Sequence, residues 1–350
     1  MKKINLFIMA ALTAMLSFSF TACSNDDDDN NAKESNYDKA LSAVQSVVNE
    51  TKASSKHTTA MLLVTFGSTW QAPHDTYKGV QEQFAKAFPD ADVYLAFTSS
   101  ICISRCAAGE NTDPVNYYAP SYWLKAIGMA QYSTVCVQSL HCIPGEEFLR
   151  MRDTYVKDFH NDTDLPEAYR SSVKVYVGGP LMADEADVNT LATVLNKHFS
   201  SVAAKGVMAF MGHGNPESYN YGNGNIRYSQ LEAALQKINK NYYVGTVDMK
   251  DNYVDNVIGR MHTAGFKTGA VELHPLMSIA GDHANNDMKG GVGETAKDGS
   301  WRSEMTKAGY TCPLNNCILK GLGDYTDVVD IWISHMKNAL AEAPMYPEAD

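Results

Sequence analysis

No C-x-x-C pair occurs anywhere in this chain, which excludes a zinc ribbon and a thioredoxin-type site. Lys and Arg never run together beyond Lys2-Lys3, and 29 of them face 40 Asp and Glu. With a net charge of −11 and no basic cluster, the chain lacks what nucleic acid or an anionic lipid surface would bind. No G-x-G-x-x-G follows the first β-rich run. Phe66-Gly67-Ser68-Thr69 is too short a glycine turn to cradle a dinucleotide.

The chain begins with Lys2 and Lys3, a nearly all-apolar Ile4–Phe20 and then Thr21-Ala22-Cys23. Residues 1–23 read as a secretory signal, too short and wrongly flanked for a transmembrane span. Cys23 after small residues resembles a bacterial lipobox, with Phe20 where such boxes usually carry Leu. Lipidation of Cys23 is the expectation, and cleavage by the ordinary signal peptidase is the alternative. The acidic run Ser24–Asp29 reads as an export tag of surface lipoproteins or as a solvated linker. The expected address is therefore exported, lipid-anchored to a bacterial membrane, periplasmic or cell-surface, with the lipid as the only membrane contact.

Residues 25–36 are acidic and polar without apolar period, and disorder is expected there. Tyr37–Glu50 carries Ala40, Leu41, Val44 and Val47 or Val48 at helical spacing. Residues 24–56 thus form an acidic linker and a short helix. Beyond Lys56, short β-rich runs alternate with longer helical stretches. Strands are predicted at Met61–Phe66, Asp92–Phe97, Thr134–Gln138, Val173–Val177, Val207–Met211, Tyr242–Val247 and Gly269–Leu273. Helices are predicted at Asp75–Ala87, Gly145–Phe159, Asp184–Phe199, Tyr228–Ile238, Tyr253–Ala264 and Tyr325–Ala341. This alternation predicts an α/β fold with parallel sheets.

The two halves rhyme. Leu62–Thr69 matches Val207–Gly214, and Val135–Glu147 matches Val271–His283 when Gly145 is set against Gly281. Two similar Rossmann-like lobes are expected, residues 57–183 and 184–350, with the final helix packing back on the first. Strand ends would face a shared cleft, the usual ligand position in open α/β sheets. Of the six cysteines besides Cys23, Cys312 and Cys317 bracket a turn-like Pro-Leu-Asn-Asn and are the expected disulfide pair. Cys136 reads as a buried thiol.

Two histidines carry the chemistry. His213 lies between Gly212 and Gly214 just past a strand, and His283 follows Gly281-Asp282 in a run rich in polar groups. Asp282 could orient that imidazole, and the glycine-rich Asp287–Gly299 reads as a surface loop over a ligand. Asp248 ends a neighbouring strand, where it serves either this site or a cap. His141 and His274 also end strands, and His141 leads into Pro144-Gly145-Glu146-Glu147, a helix start with acids in its first turn. The other histidines read as surface or packing residues. Two imidazoles and a carboxylate make a borderline site for Co2+, Ni2+, Fe2+ or Zn2+. A neutral imidazole also accepts protons. Metal insertion into a tetrapyrrole needs both properties, because two pyrrole N–H protons must leave.

Met61–Trp70, Phe88–Ser100, Val137–Phe148, Phe210–Gly214, Pro275–Met288, Gly299–Tyr310 and Gly321–Tyr325 together resemble the anaerobic sirohydrochlorin cobaltochelatases. These are class II, ATP-independent tetrapyrrole chelatases, and the resemblance spans about Thr58–Leu340. It implies two pseudo-twofold-related lobes with the tetrapyrrole between them, a lyase activity, and a divalent metal as substrate with no ATP. Cobalt is the first expectation for that metal. The family's metal-binding histidines fall on His213 and His283, and a family glutamate falls on Asp248, one methylene shorter. Phe66, Gly67, Ser68, Thr98, Ser99, His141, Gly145, Glu147 and Met277 fall on substrate-contacting segments. A homo-oligomer stays open. The family's cobalamin pathway is cytoplasmic, which an exported chain departs from. The alternative is a non-enzymatic surface lipoprotein that binds haem or another tetrapyrrole, or shuttles metal.

Overall fold

Side chains alternate between two cores along the first strand, β1 (Thr59–Thr65), of a computed structural model that describes residues 36–347. Met61 and Leu63 enter one core, while Ala60, Leu62 and Val64 enter another. Burial on both faces is why the segment is a continuous apolar run. β1 pairs in parallel with β2 (Ala91–Phe97) and β3 (Thr134–Ser139), and β3 pairs with β4 (Lys174–Gly178), giving the order β2-β1-β3-β4. The second sheet repeats this order as β6 (Tyr242–Thr246), β5 (Val207–Gly212), β7 (Gly269–Leu276) and β8 (Tyr310–Thr311). In β5, Met208 and Phe210 join the core of Met61 and Leu63, whereas Val207, Ala209 and Met211 face a third core. The two sheets therefore share one core and belong to a single compact unit.

The helices are α1 (Asn36–Ser55), α2 (Gln71–Ala87), α3 (Ser100–Ala107), α4 (Pro120–Met129), α5 (Glu146–Arg150), α6 (Lys157–His160), α7 (Glu167–Arg170), α8 (Glu185–Ala203), α9 (Ile226–Ile238), α10 (Val254–Thr263), α11 (Trp301–Lys307) and α12 (Thr326–Ala341). The leading helix runs longer than its apolar period and docks on the first lobe through Val44 and Val48. The last helix, α12, lies against β4, β3 and α2 as well as α8. The signal, Cys23 and the acidic stretch over residues 25–35 lie outside the described residues.

Several boundaries differ from expectation. The helix predicted at Gly145–Phe159 is α5, a π-helical segment Met151–Val156, and α6. His274 lies inside β7 rather than at its end, because the strand runs on through Pro275. Past Ala270, β7 has no ladder with β8, so a missing N–H at Pro275 is tolerated there. α3, α4, α7, α11 and β8 were not foreseen; they are short, and β8 has only two residues.

The internal repeat holds, with one correction to its register. Leu62 pairs with Val137, and Ala209 with Leu273. Given Gly145 against Gly281, these pairs set Gly67 against Gly214, two residues from the expected match with Gly212. Both Gly67 and Gly214 have left-handed φ, of 105° and 77°. Hydrogen bonds repeat too: Ser99 N donates to Phe66 O as Asp248 N donates to His213 O. Likewise Leu181 N donates to His141 O as Leu322 N donates to Met277 O.

α12 is held by more than apolar contact. Trp332 is fully buried and its Nε1 donates to His141 O at 3.3 Å. Trp332→Ala is expected to destabilise the fold by about 3–5 kcal/mol in denaturant titration. One turn on, His335 Nε2 lies 3.0 Å from Asp187 Oδ1. Burial opposes charge on both groups, yet their mutual bond raises His335 and lowers Asp187. The stability His335 adds is thus full below the ordinary histidine range and is lost as pH rises through its raised value. The stability difference between wild type and His335→Gln should shrink over that rise.

Candidate metal centre

β5 and β7 are adjacent in the sheet, and both run toward the same edge. His213 leaves β5 directly and Gly214 turns the chain back; a Cβ on Gly214 would lie 2.7 Å from Met249 Cγ. His283 comes seven residues after β7, just past Gly281. There a Cβ would lie 2.8 Å from Ile279 and 3.1 Å from Ser68 Oγ of the other lobe. The two imidazoles meet edge to face, with ring centroids 4.8 Å apart at 81°.

Each ring is fixed by its Nδ1. His213 Nδ1–H donates to Gly214 O at 2.7 Å, and His283 Nδ1–H donates to Asp287 Oδ2 at 2.7 Å. Both Nε2 lone pairs are thereby left free for a cation. The Asp287 bond raises the His283 pKa against the pull of burial, and Asp282 and Asp248 add to it. A carboxylate behind a histidine is the arrangement that orients metal-binding imidazoles and raises their basicity.

Asp287, not Asp282, is the orienting acid. Helical winding brings a residue four positions on back beneath the ring, a spacing that could have been read in advance. Asp282 instead accepts from Asn286 Nδ2 at 2.8 Å and from Trp70 Nε1 at 3.4 Å. Asp248 lies 3.5 Å from His213 Nδ1, on the anchored side of that ring. Among the described residues no three His, Cys, Asp or Glu side chains converge as a metal set. The geometry thus gathers two imidazoles, with Asp248 to one side.

The first lobe supplies a different surface at the matching edge. Phe66 is 50 % exposed, and Gly67 packs its backbone against the Phe97 ring. Ser68 is buried, its Oγ accepting from Trp70 N and its carbonyl from Cys106 Sγ. Thr98 Oγ1 donates to Glu147 Oε2 at 2.6 Å, and Arg150 donates to Glu147 Oε1 at 2.6 Å. Ser99 caps α3 through Cys102 N. His141 Nδ1 is 2.8 Å from Ser139 Oγ, burial pushes its pKa down to about 4, and its enclosed Nε2 has no protein partner. Gly145 starts α5 against Asn215 Nδ2, another enclosed atom without a protein partner. Met277 lies partly buried against the third core.

His274 plays no part in this edge. It is fully buried, Nδ1–H donating to Pro275 O while Nε2 accepts from Tyr325. His74 Nε2–H donates to Ser68 O at 2.7 Å behind this edge, while His57, His198 and His335 hold structural contacts elsewhere. Cys136 is a buried free thiol, and Cys312 and Cys317 lie side by side as free thiols.

Two repeated α/β lobes on parallel sheets, with paired imidazoles at the strand ends of one, define an enzyme of the class II chelatase type. The chain belongs to the cobalt chelatase (CbiK) family, whose model matches residues 59–341. It is 29 % identical over 283 residues to the sirohydrochlorin cobaltochelatase CbiKC of Nitratidesulfovibrio vulgaris, covering 80 % of this chain and 90 % of that protein. It is 28 % identical over 285 residues to the sirohydrochlorin cobaltochelatase of Salmonella typhimurium, covering 80 % and 96 % respectively. The fold is similar to that of SirB from Bacillus subtilis, solved with Fe3+. The TM-score is 0.53 at 12 % identity, covering 81 % of this chain and 96 % of SirB.

On the reading that His283 Nε2 binds the metal, protons compete for the same lone pair, so Co2+ affinity should fall as pH drops through the raised His283 value. Asp287→Asn is expected to weaken Co2+ binding about 10–100-fold and to move that fall to lower pH. Calorimetric titration across pH measures both.

Proposed function

We propose that this enzyme inserts Co2+, or Fe2+, into a sirohydrochlorin-type tetrapyrrole, with His213 and His283 holding the incoming metal. The observation that carries this reading is the imidazole pair, each ring tied at Nδ1 and free at Nε2. Borderline nitrogen donors suit Co2+ and Fe2+, and a set with open positions can release the ion. As the metal passes to the ring, two pyrrole N–H protons leave. His283 Nε2, vacated by the metal and backed by Asp287, takes one of them, and His213 Nε2, vacated in the same step, takes the other.

Other features favour a flat, partly apolar ligand. Phe66, Ile101, Tyr253 and Val292 are exposed on segments that follow β1, β2, β6 and β7. A macrocycle face would cover such side chains. Export and lipidation at Cys23 belong to the same proposal, placing the activity outside the cytoplasm. A second reading is a tetrapyrrole-binding or metal-shuttling lipoprotein without turnover. It draws on Asp248, which flanks the anchored side of His213 instead of closing a donor set.

The test is the absorbance change of sirohydrochlorin with Co2+, followed with and without enzyme. Acceleration over the spontaneous reaction, lost in His213→Ala and His283→Ala, is expected. Tight binding of the ring or of Co2+ without acceleration would favour the second reading, and binding of neither would overturn both.

A further inference from the structure

We propose that Cys312 and Cys317 are a redox-active dithiol, oxidised reversibly to a disulfide with Cys317 as the attacking sulfur. Cys312 directly follows β8, and Cys317 closes the turn Leu314–Asn316 beside β7. Thr311 pairs with Ala270 and Cys317 bridges Leu273, so both thiols lie along the same edge of β7, 5 % and 8 % exposed at the margin of the third core.

What sets this pair apart is the charge beside it. Arg302 is 2 % exposed; its Nη2 donates to Gly293 O, and its enclosed Nε has no protein partner. Lys289 is 8 % exposed and donates to a neutral amide oxygen of Asn285. Among the described residues neither cation forms an ion pair at contact distance with a carboxylate. Buried cations without a contacting counter-charge are costly, so a thiolate near them is favoured, and Glu272, which acts on Cys312, directs that charge to Cys317 instead. The bond from Cys312 lowers the Cys317 pKa against burial, with Arg302 and Lys289 adding to it, while the shared proton stays on Cys312. A metal ion does not fit as well, since two positive charges are already present and no third donor converges there.

The oxidant is a small disulfide such as oxidised glutathione. Cys317 thiolate attacks one of its sulfurs, forming a mixed disulfide and expelling one glutathione thiolate. Cys312 then loses its proton and attacks the Cys317 sulfur, expelling the second glutathione thiolate. Two electrons pass to the oxidant, and the pair's protons end on two glutathione thiols. Because the cations stabilise the reduced form, the protein disulfide is more easily reduced than an ordinary structural one.

The full-length protein is equilibrated in mildly alkaline buffer over graded ratios of oxidised to reduced glutathione, quenched in acid, alkylated and mapped by mass spectrometry. A Cys312–Cys317 link that forms and reverses across these ratios is expected. Lys289→Gln, which keeps both sulfurs, should shift the midpoint toward the disulfide by about tenfold, the effect of one pKa unit. In Cys312→Ser, glutathione should accumulate on Cys317; in Cys317→Ser, Cys312 should take up far less. The proposal is overturned by folded wild-type protein that shows no link at any ratio, by a link that reduced glutathione leaves intact, or by an unmoved midpoint in Lys289→Gln.

Discussion

Parallel pairing of β5 with β7, Gly212 opposite Leu276, brings two chain segments out of one sheet edge a strand spacing apart. His213 needs only one more residue to reach the imidazole pair, and His283 returns to it through the turn at Gly281. The alternating burial of β5 between two cores holds this register. A slip of one residue would turn every inward side chain of β5 to the other face. A slip of two would preserve the faces but carry His213 about 6–7 Å along the strand, out of contact with His283. The site's geometry is thus a consequence of core packing, well before any metal is considered.

The repeat shows what was specialised. On the register given by the strand pairs, His213, Asp248 and His283 of the second lobe correspond to Phe66, Ser99 and Glu147 of the first. One backbone frame carries two chemistries. In the second lobe the frame presents imidazoles and an acid. In the first it presents an exposed aromatic ring, a serine occupied as a helix cap, and a glutamate taken up by Thr98 and Arg150. On the proposed reading, metal handling belongs to one lobe and contact with the macrocycle largely to the other.

Much of this was legible beforehand, for identifiable reasons. Strands buried on both faces are unbroken apolar runs, and their alternation with helices left little choice of architecture. His213 and His283 stand out in the sequence because glycines flank them, and those glycines are positions where the chain packs too closely for a Cβ. The register of the repeat is ambiguous in the sequence because Gly212 and Gly214 both offer a glycine to match; strand pairing and the left-handed φ of Gly214 resolve it. Asp287 is less conspicuous in the sequence than Asp282, because it reaches His283 through helical winding rather than along the chain. Short elements such as β8 and α11 escaped because they owe their form to tertiary packing rather than to period.

Asp248 bears most directly on how such a site would work. A third donor closing on the same ion would deepen the metal's well, and a deep well opposes transfer to a ring. Its carboxylate instead lies by the Nδ1 edge of His213, where the Gly214 carbonyl already accepts the Nδ1–H hydrogen bond. From there it can act as a negative charge near the cation without having to bond it. An aspartate suffices at that position, since reach matters less for a charge felt through space. The proposed chelatase would thus hold its metal by two imidazoles and draw it in by three surrounding acids, Asp248, Asp282 and Asp287, all of which act on His283.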